Sequence, residues 1–340
     1  MSVFLDRSPM MIAEVGQNHQ GELKIAREYI KVFSELGADV IKIQTRNNKY
    51  LFSDDAYNKT YNSHNRFAEK YGEHREKLEL NPEWLPILKK DCHDMGVLLA
   101  STPFDEPSLE LLIDLEIDML KIASFDMGNL PFIKKISNCS LPVVISTGGA
   151  QFEDIKNSVN ILLENGIEVA VLHCVSEYPT PIERLGMESI QMLKDEFPNC
   201  VIGLSDHFSG ILSGPVGYMH GARVFEKHVT LNRAWKGTDH SFALEPNGFK
   251  NFVRDIKSVP VMYKRKPDEE LGKEYVFGKL GKSVILNCDM KRGDLIDIDH
   301  LSGRIFDDVY LPVRDSVKVI GKKLKINKNK GDYITLDDIL

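Results

Sequence analysis

With 340 residues, 42% hydrophobic and 27% charged, the chain has the composition of a globular protein with room for a barrel-sized domain and a smaller second one. Its net charge of −7 argues against a nucleic-acid partner, although local Lys and Arg residues can still hold an anionic substrate. No apolar run approaches the ~20 residues of a membrane span, and the N-terminal MSVFLDRSPM lacks the apolar core of a signal peptide, so a cytoplasmic protein with no membrane partner is expected.

Eight short apolar runs follow one another, each ending in polar residues able to do chemistry: MIAEVGQNH, ADVIKIQT, GVLLASTP, MLKIAS, PVVISTG, EVAVLHC, CVIGLSDH and FEKH. Amphipathic helices alternate with them. In ELKIAREYIKVFSELG, for example, Leu23, Ala26, Ile30 and Phe33 recur at helical spacing and Gly37 ends the pattern. This rhythm predicts a (β/α)8 TIM barrel over 1–262, with catalytic groups at the carboxyl ends of the strands. The segment 46–82 after the second strand breaks the rhythm. It is long, polar and aromatic, which reads as a lid or substrate loop.

A charged stretch at 263–280 reads as a linker, and 281–340 as a small β-rich domain of short strands and turns. Within it GDLIDIDHL from Gly293 recurs as GDYITLDDI from Gly331, 38 positions later. Either the module arose by duplication and has an approximate two-fold, or so short a match is chance. The five cysteines (Cys92, Cys139, Cys174, Cys200 and Cys288) show no CxxC pair and read as reduced core thiols.

The strongest chemical pattern is His207 and His228 at the ends of strands seven and eight. Neighbouring strands lie ~4.8 Å apart, so two inward-pointing imidazoles can share one divalent metal ion. Period-two alternation puts Ser205 with His207, and Glu226 with His228, on the barrel's inner face. Lys42 and Gln44 share a face of strand two, and Lys121 ends strand four. Two lysines inside a barrel call for compensation. They either hold an anion, with donors from Ser124, Ser146, Thr147, Gly148 and Ser205, or form ion pairs with Glu14, Asp126 or Glu226. His173 and Cys174 read mainly as packing groups, His240 equally as a catalytic group or a loop hydrogen-bonder, and Lys322–Lys330 as a solvated turn.

The motifs IAEVGQNHQG, LGADVIKIQT, LKIAS, VISTGG, HCVSEYPTP, GLSDH and EKHVTLNRAWKGTDHSFALEP fall in the order seen in the sialic acid synthase family, which the chain resembles over nearly its whole length. LGKSVIL with MKRGDLIDIDHL resembles that family's C-terminal antifreeze-like (SAF) domain. The resemblance implies a transferase that condenses phosphoenolpyruvate with N-acetylmannosamine, its 6-phosphate or a related aldose to give a nine-carbon 2-keto-3-deoxy acid and phosphate. It assigns His207 and His228 to a divalent metal, manganese first with magnesium or cobalt as alternatives. Glu14, Lys42, Lys121 and Asp239 take catalytic roles. Phosphoenolpyruvate is assigned to Lys42, Thr102, Lys121, Ser124, Ser146 and Ser205, and the sugar to Gln44, Tyr178, Asp239 and Arg304. Arg304 would reach the barrel of the partner protomer in a domain-swapped homodimer. Asp126 and Ser176 stand where other members often carry Glu and Asn. WKGTDH and KYGEHREKLEL are closer to the animal synthases that use a 6-phosphorylated sugar, whereas Arg304 follows the bacterial type. The alternative from another class is a non-catalytic barrel whose C-terminal module binds a carbohydrate or a protein.

Overall fold

The computed structural model describes residues 2–340. Eight parallel strands close into a barrel in sequence order: β1 (Met10–Gly16), β2 (Val40–Thr45), β3 (Leu98–Pro103), β4 (Met119–Ile122), β5 (Val143–Ser146), β6 (Val169–Cys174), β7 (Val201–Asp206) and β8 (Val224–His228), with β8 pairing back onto β1. Each strand is followed by a helix on the outside: Leu23–Glu35, Leu85–Asp94, Glu106–Asp114, Leu130–Ile136, Phe152–Glu164, Ser189–Glu196, Ser213–Met219 and Pro246–Met262. This is the (β/α)8 architecture that the alternating runs predict. The strand ends differ slightly from the reading: β7 stops at Asp206, so His207 is the first residue past it, and Ile122 rather than Lys121 closes β4.

Two apolar layers hold the barrel. Outward-facing residues such as Ala13, Ile41, Leu99, Leu120, Ile145, Val171 and Leu204 meet the helices. There Tyr29, Phe33 and Phe249 interlock, with Phe33 and Phe249 edge to face at 5.3 Å. Inward-facing Met10, Ile12, Val40, Ala100, Met119, Val144, Ala170, Leu172 and Val224 fill the amino-terminal half of the barrel. Phe4, on the short helix Val3–Asp6, plugs that end and is fully buried, a burial that contributes roughly 1.5–3 kcal/mol. The helix Leu23–Glu35 buries Ala26, Tyr29, Ile30 and Phe33, with Gly37 just beyond it at φ +97°, where only glycine is unstrained. All five cysteines are free.

The segment 46–82 is not a bare loop. It carries the short helices Asn48–Leu51, Asp54–Asn58 and Tyr71–Glu76, closed by a Thr60–Lys70 bridge. Tyr61, Phe67 and Tyr71 pack round the buried His74. Asp105 anchors the segment's start: one carboxylate oxygen accepts from Asn47 N at 2.7 Å while the other caps the helix Glu106–Asp114 through Ser108 N at 2.8 Å.

Residues 264–340 form a second compact unit. It contains the 3-10 turn Asp268–Glu270 and the short helix Tyr275–Leu280, so most of 263–280 groups with this unit. The antiparallel pair β9 (Lys282–Leu286) and β10 (Leu301–Ile305) follows. The repeat is real in three dimensions. Met290 and Lys328 exchange two backbone bonds of 2.9 Å. Gly293 N donates to Leu324 O and Gly331 N to Leu286 O, both at 2.8 Å, and each pair maps onto the other at the same 38-residue offset. Gly293 and Gly331 share φ near +92°, and capping boxes at Asp297 and Thr335 start equivalent 3-10 turns. Val284, Leu286, Met290, Ile296, Leu311, Val319, Leu324 and Ile334 form its own core. Among the described residues no helix is long and apolar enough to cross a membrane.

Candidate active site

One pleat above the apolar plug, the same strands turn polar. Along β1 Ile12 gives way to Glu14, along β2 Val40 to Lys42, along β4 Met119 to Lys121, along β5 Val144 to Ser146, and along β8 Val224 to Glu226 and His228. Period-two alternation keeps all of them facing inward. They surround a cavity of about 230 Å³ at the carboxyl ends of the strands. Its walls hold Glu14, Lys42, Gln44, Thr102, Lys121, Ser124, Ser146, Tyr178, Ser205, His207, His228 and Asp239. Every residue assigned to the site from the sequence is therefore gathered there except Arg304, which lies exposed on β10 of the second unit. Thr147 is buried just past β5 and donates to Leu172 O.

The two lysines behave differently. Lys42 Nζ lies 2.7 Å from Glu14 Oε2 and 3.4 Å from Glu226 Oε1, and donates to Thr102 Oγ1 at 3.3 Å. Burial pulls its pKa down, but the two carboxylates outweigh this and hold it above its ordinary value. Lys121 Nζ donates to Ile122 O at 2.9 Å and has no carboxylate within ion-pair distance among the described residues. Burial lowers its pKa. The ion-pair reading thus holds for Lys42 and fails for Lys121. It fails for Asp126 as well, whose side chain accepts from Asn129 Nδ2 at 2.9 Å.

The two carboxylates split in the same field. Burial raises the pKa of Glu14, with Lys42 only partly opposing it, and Gln44 Nε2 donates to its Oε1 at 2.8 Å. For Glu226 burial also pushes up, but the charges of Lys121 and Lys42 prevail and hold it below the ordinary range. The field therefore favours the neutral form of Glu14 and the ionised form of Glu226.

At the adjoining ends of β7 and β8 the His207 and His228 rings lie 5.3 Å apart, with His228 in register with Glu14. His207 Nδ1 donates to Val175 O at 2.7 Å, which leaves Nε2 as the lone pair facing the cavity. Burial lowers the His228 pKa to about 3, so this imidazole is neutral, and its Nδ1 is buried without a partner. Burial lowers the His207 pKa, but Cys174 and Val175 O outweigh it and hold it above the ordinary value, so a divalent metal at the cavity-facing Nε2 of His207 and at His228 would take the place of a proton on His207, with the remaining coordination positions left to substrate and water. Among the described residues no group of three His, Cys, Asp or Glu is spaced to hold a metal by itself. The Tyr178 ring lies tilted at 4.1 Å from His207, and Phe242 meets both histidines edge to face.

Two features show where an anion would sit. The hydroxyls of Ser146 and Ser176 are buried with no hydrogen-bond partner, which is costly unless a ligand supplies one. A Cβ on Gly148 would lie 2.3 Å from Ser176 Oγ and 2.9 Å from both Ser124 Oγ and Cys174 Sγ, so only glycine keeps this cradle open. With the hydroxyls of Ser124 and Ser176 around it, the cradle has the donors that a phosphate or carboxylate accepts from.

Sequence reasoning missed several groups. Cys174, read as packing, instead lines the cavity 3.5 Å from Ser124 Oγ and 3.9 Å from His207 Nδ1. Its burial raises the thiol pKa, but hydrogen bonds from His207 and Ser124 and the charge of Lys121 bring it down to about 7. Arg46, Arg75 and Phe125 also line the cavity, and none had a signal beyond its place after a strand or in the long loop. His240 proves to be a loop hydrogen-bonder, with Nδ1 2.8 Å from Thr230 Oγ1, and His173 contacts Leu185 O outside the cavity. A buried pair the sequence did not announce, Lys227 with Asp206 at 2.5 Å, ties β7 to β8 behind the histidines.

Residues 29–267 match the NeuB family. The chain is 31% identical over 325 residues to N-acetylneuraminate-9-phosphate synthase of Homo sapiens, covering 95% of this chain and 90% of that protein. It is 31% identical over 301 residues to N,N'-diacetyllegionaminic acid synthase of Campylobacter jejuni, covering 87% and 90%. The crystal structure of the N-acetylneuraminic acid (sialic acid) synthetase of Leptospira borgpetersenii superposes with a TM-score of 0.69 at 28% identity, over 80% of this chain and 92% of that one. With a family match across most of the barrel and relatives aligned over nearly the full length, the chain belongs to the NeuB family and is an enzyme of the sialic acid synthase type.

Proposed function

We propose that the cavity condenses phosphoenolpyruvate with the open-chain form of N-acetylmannosamine or a closely related aldose, yielding a nine-carbon 2-keto-3-deoxy acid and phosphate. The observation that carries this reading is that one buried cavity holds both an anion site and a histidine pair. Lys42, Lys121, Ser124, Ser146 and Ser205 form the anion site, with the Gly148 cradle beside Ser124, and His207, His228 and Tyr178 line the same cavity. An enol phosphate and an aldehyde held in that cavity are brought to reacting distance.

In the forward direction carbon 3 of phosphoenolpyruvate bonds to the aldehyde carbon, and the aldehyde oxygen takes a proton to become a hydroxyl. Water adds at carbon 2, where positive charge develops. Glu14, raised by burial and oriented by Gln44 and Lys42, accepts a proton from that water. The tetrahedral adduct expels phosphate by C–O cleavage. Lys121 and Lys42 hold the carboxylate and phosphate charge throughout, and Glu226 keeps Lys42 protonated. His207 and His228 would hold a divalent metal, manganese first, which when bound supplies Lewis acidity to an aldehyde oxygen. Asp239 and Tyr178 contact sugar hydroxyls.

The second unit fits a SAF-type antifreeze-like module: it has its own core, a pseudo-two-fold and the exposed Arg304. We assign Arg304 to the sugar of the partner protomer in a domain-swapped homodimer. Phosphate release from phosphoenolpyruvate should need both an aldose and a divalent metal. If chelation by EDTA and His228→Ala each leave that rate unchanged, the metal role is wrong. The swap has a separate test. Lys42→Met and Arg304→Ala variants, each inactive alone, should regain about a quarter of wild-type activity once subunits are mixed and exchanged, and no recovery would exclude a shared site.

A further inference from the structure

The sheet that carries the two histidines stops pairing just before it reaches them. Backbone pairing between β7 and β8 runs from Gly203 with Val224 to Asp206 with Lys227, and none joins the next two residues, His207 and His228. His228 is still held by β1, in register with Glu14. His207 lies past the end of β7. Its imidazole is tethered to Val175 O and its carbonyl accepts from Thr180 N at 3.1 Å, both in the chain that follows β6, which leaves its β8 side to side chains.

Alternation turns Ser205, His207, Glu226 and His228 into the barrel and turns Asp206 and Lys227 outward, into the layer between strands and helices. There the two charges lie 2.5 Å apart with 1% or less of either side chain exposed. Lys227 Nζ is 5.6 Å from the ring centre of Phe252, itself fully buried on the helix Pro246–Met262. Neither charge lines the cavity. An apolar pair would fill this layer with less loss of solvation. It could not hold the turn round His207. Asp206 Oδ1 accepts from Phe208 N at 3.0 Å, while Oδ2 accepts from Lys227 Nζ and from Ser213 Oγ, both at 2.5 Å. Lys227 Nζ also donates to Phe208 O. The residues on both sides of His207 are thereby bound to the residue that precedes His228.

Resting on the metal role proposed above for the two histidines, we propose that Asp206 and Lys227 are positioning residues: their clamp sets the spacing of the two imidazoles and, through it, the affinity of the pair for a divalent ion. Among the described residues no group of three His, Cys, Asp or Glu is spaced to hold a metal. With two protein ligands, a displaced ring has no third to compensate for it, so the groups that orient those two decide how tightly the ion is held.

The test titrates Mn2+ into the full-length protein stripped of metal and reads the electron paramagnetic resonance signal of the free ion, with the melting temperature of the same samples alongside. The variant Asp206→Asn/Lys227→Met removes both charges and leaves neither orphaned. Its Kd for Mn2+ should rise about 10- to 100-fold while its melting temperature holds or rises. At saturating Mn2+ its kcat should return to within about 3-fold of wild type, with the phosphoenolpyruvate KM level. An unchanged Kd in this variant would overturn the clamp and leave the metal role standing. If the variant melts lower or fails to fold, Ser213→Ala decides, because it takes away only the hydroxyl that fixes Asp206. A Kd raised about 3-fold or more at an unchanged melting temperature supports the clamp, and an unchanged Kd overturns it. A wild type that binds no Mn2+ would remove the metal role, and the clamp with it.

Discussion

The barrel has two ends built from the same eight strands, and a shift of two residues separates them. At the amino end Met10, Ile12, Val40, Met119, Val144 and Leu172 fill the interior as any core would, and Phe4 seals it. At the carboxyl end Glu14, Lys42, Lys121, Ser146, Cys174 and Glu226 occupy equivalent inward positions one pleat higher, buried as deeply but charged or polar. The lower end stabilises the fold. The upper end costs stability, because buried ions lose solvation that a charge partner only partly restores. Function in this molecule is thus a layer and not a lobe.

The sharpest way to break that comparison is a pair of substitutions on one strand. Lys121→Met should reduce kcat by about 1000-fold or more through loss of a preorganised cation. Because Lys121 is buried without a carboxylate partner, its melting temperature should hold or rise. Met119→Ala, two residues below, should do the reverse, costing about 2–5 kcal/mol while leaving kcat near wild type. Kinetics and calorimetry on the two proteins decide it, and a Lys121→Met protein that unfolds easily would mean the polar layer is structural.

A second, smaller effect is expected at Gly148. A methyl group there collides with Ser124, Cys174 and Ser176, so Gly148→Ala should raise the phosphoenolpyruvate KM roughly 10- to 100-fold with little change in the aldose KM. Equal changes in both would place the cradle elsewhere.

The smallest effect is on the loops that roof the upper end. Burial, with the nearby charges of Arg75 and Lys236, depresses the His74 pKa to about 4, and the neutral ring accepts from Phe67 N through Nδ1. A base whose folded pKa lies below its unfolded value of about 6.5 stabilises the fold above that value, and this stability is lost as pH falls through 6.5 towards 4. Hydrogen exchange of the 61–75 amides should therefore accelerate over that window while the inner strands stay protected. In His74→Gln, which keeps an acceptor and cannot titrate, the acceleration should vanish.

Most of the barrel was legible because a strand announces itself by its apolar run and its period. The inward set at the strand ends followed from alternation alone, which is why Lys42, Lys121, His207 and His228 were found. What escaped depends on register and on chain that leaves the strands. No local pattern tells that Lys42 is shared between Glu14 on the adjacent β1 and Glu226 on β8, one strand further round, while Lys121 is left without a carboxylate. Cys174 looked like a packing thiol because its run is apolar up to His173, yet its parity with Ser205 puts it inside. Arg75 lies in a loop whose course is set by the aromatic cluster round His74, a tertiary contact with no sequence period. The repeat from Gly293 to Gly331 was legible as letters, and its reality rested on backbone pairs that only the fold displays.

The central claim is the chemistry at the upper end, and oxygen labelling tests it most directly. Phosphoenolpyruvate carrying 18O in its bridging C–O position, incubated with the enzyme, manganese and N-acetylmannosamine or its 6-phosphate, should yield aldose-dependent phosphate that contains the label and a nine-carbon 2-keto acid whose keto oxygen comes from water. Label retained in the keto acid, or phosphate released without an aldose, would contradict the account.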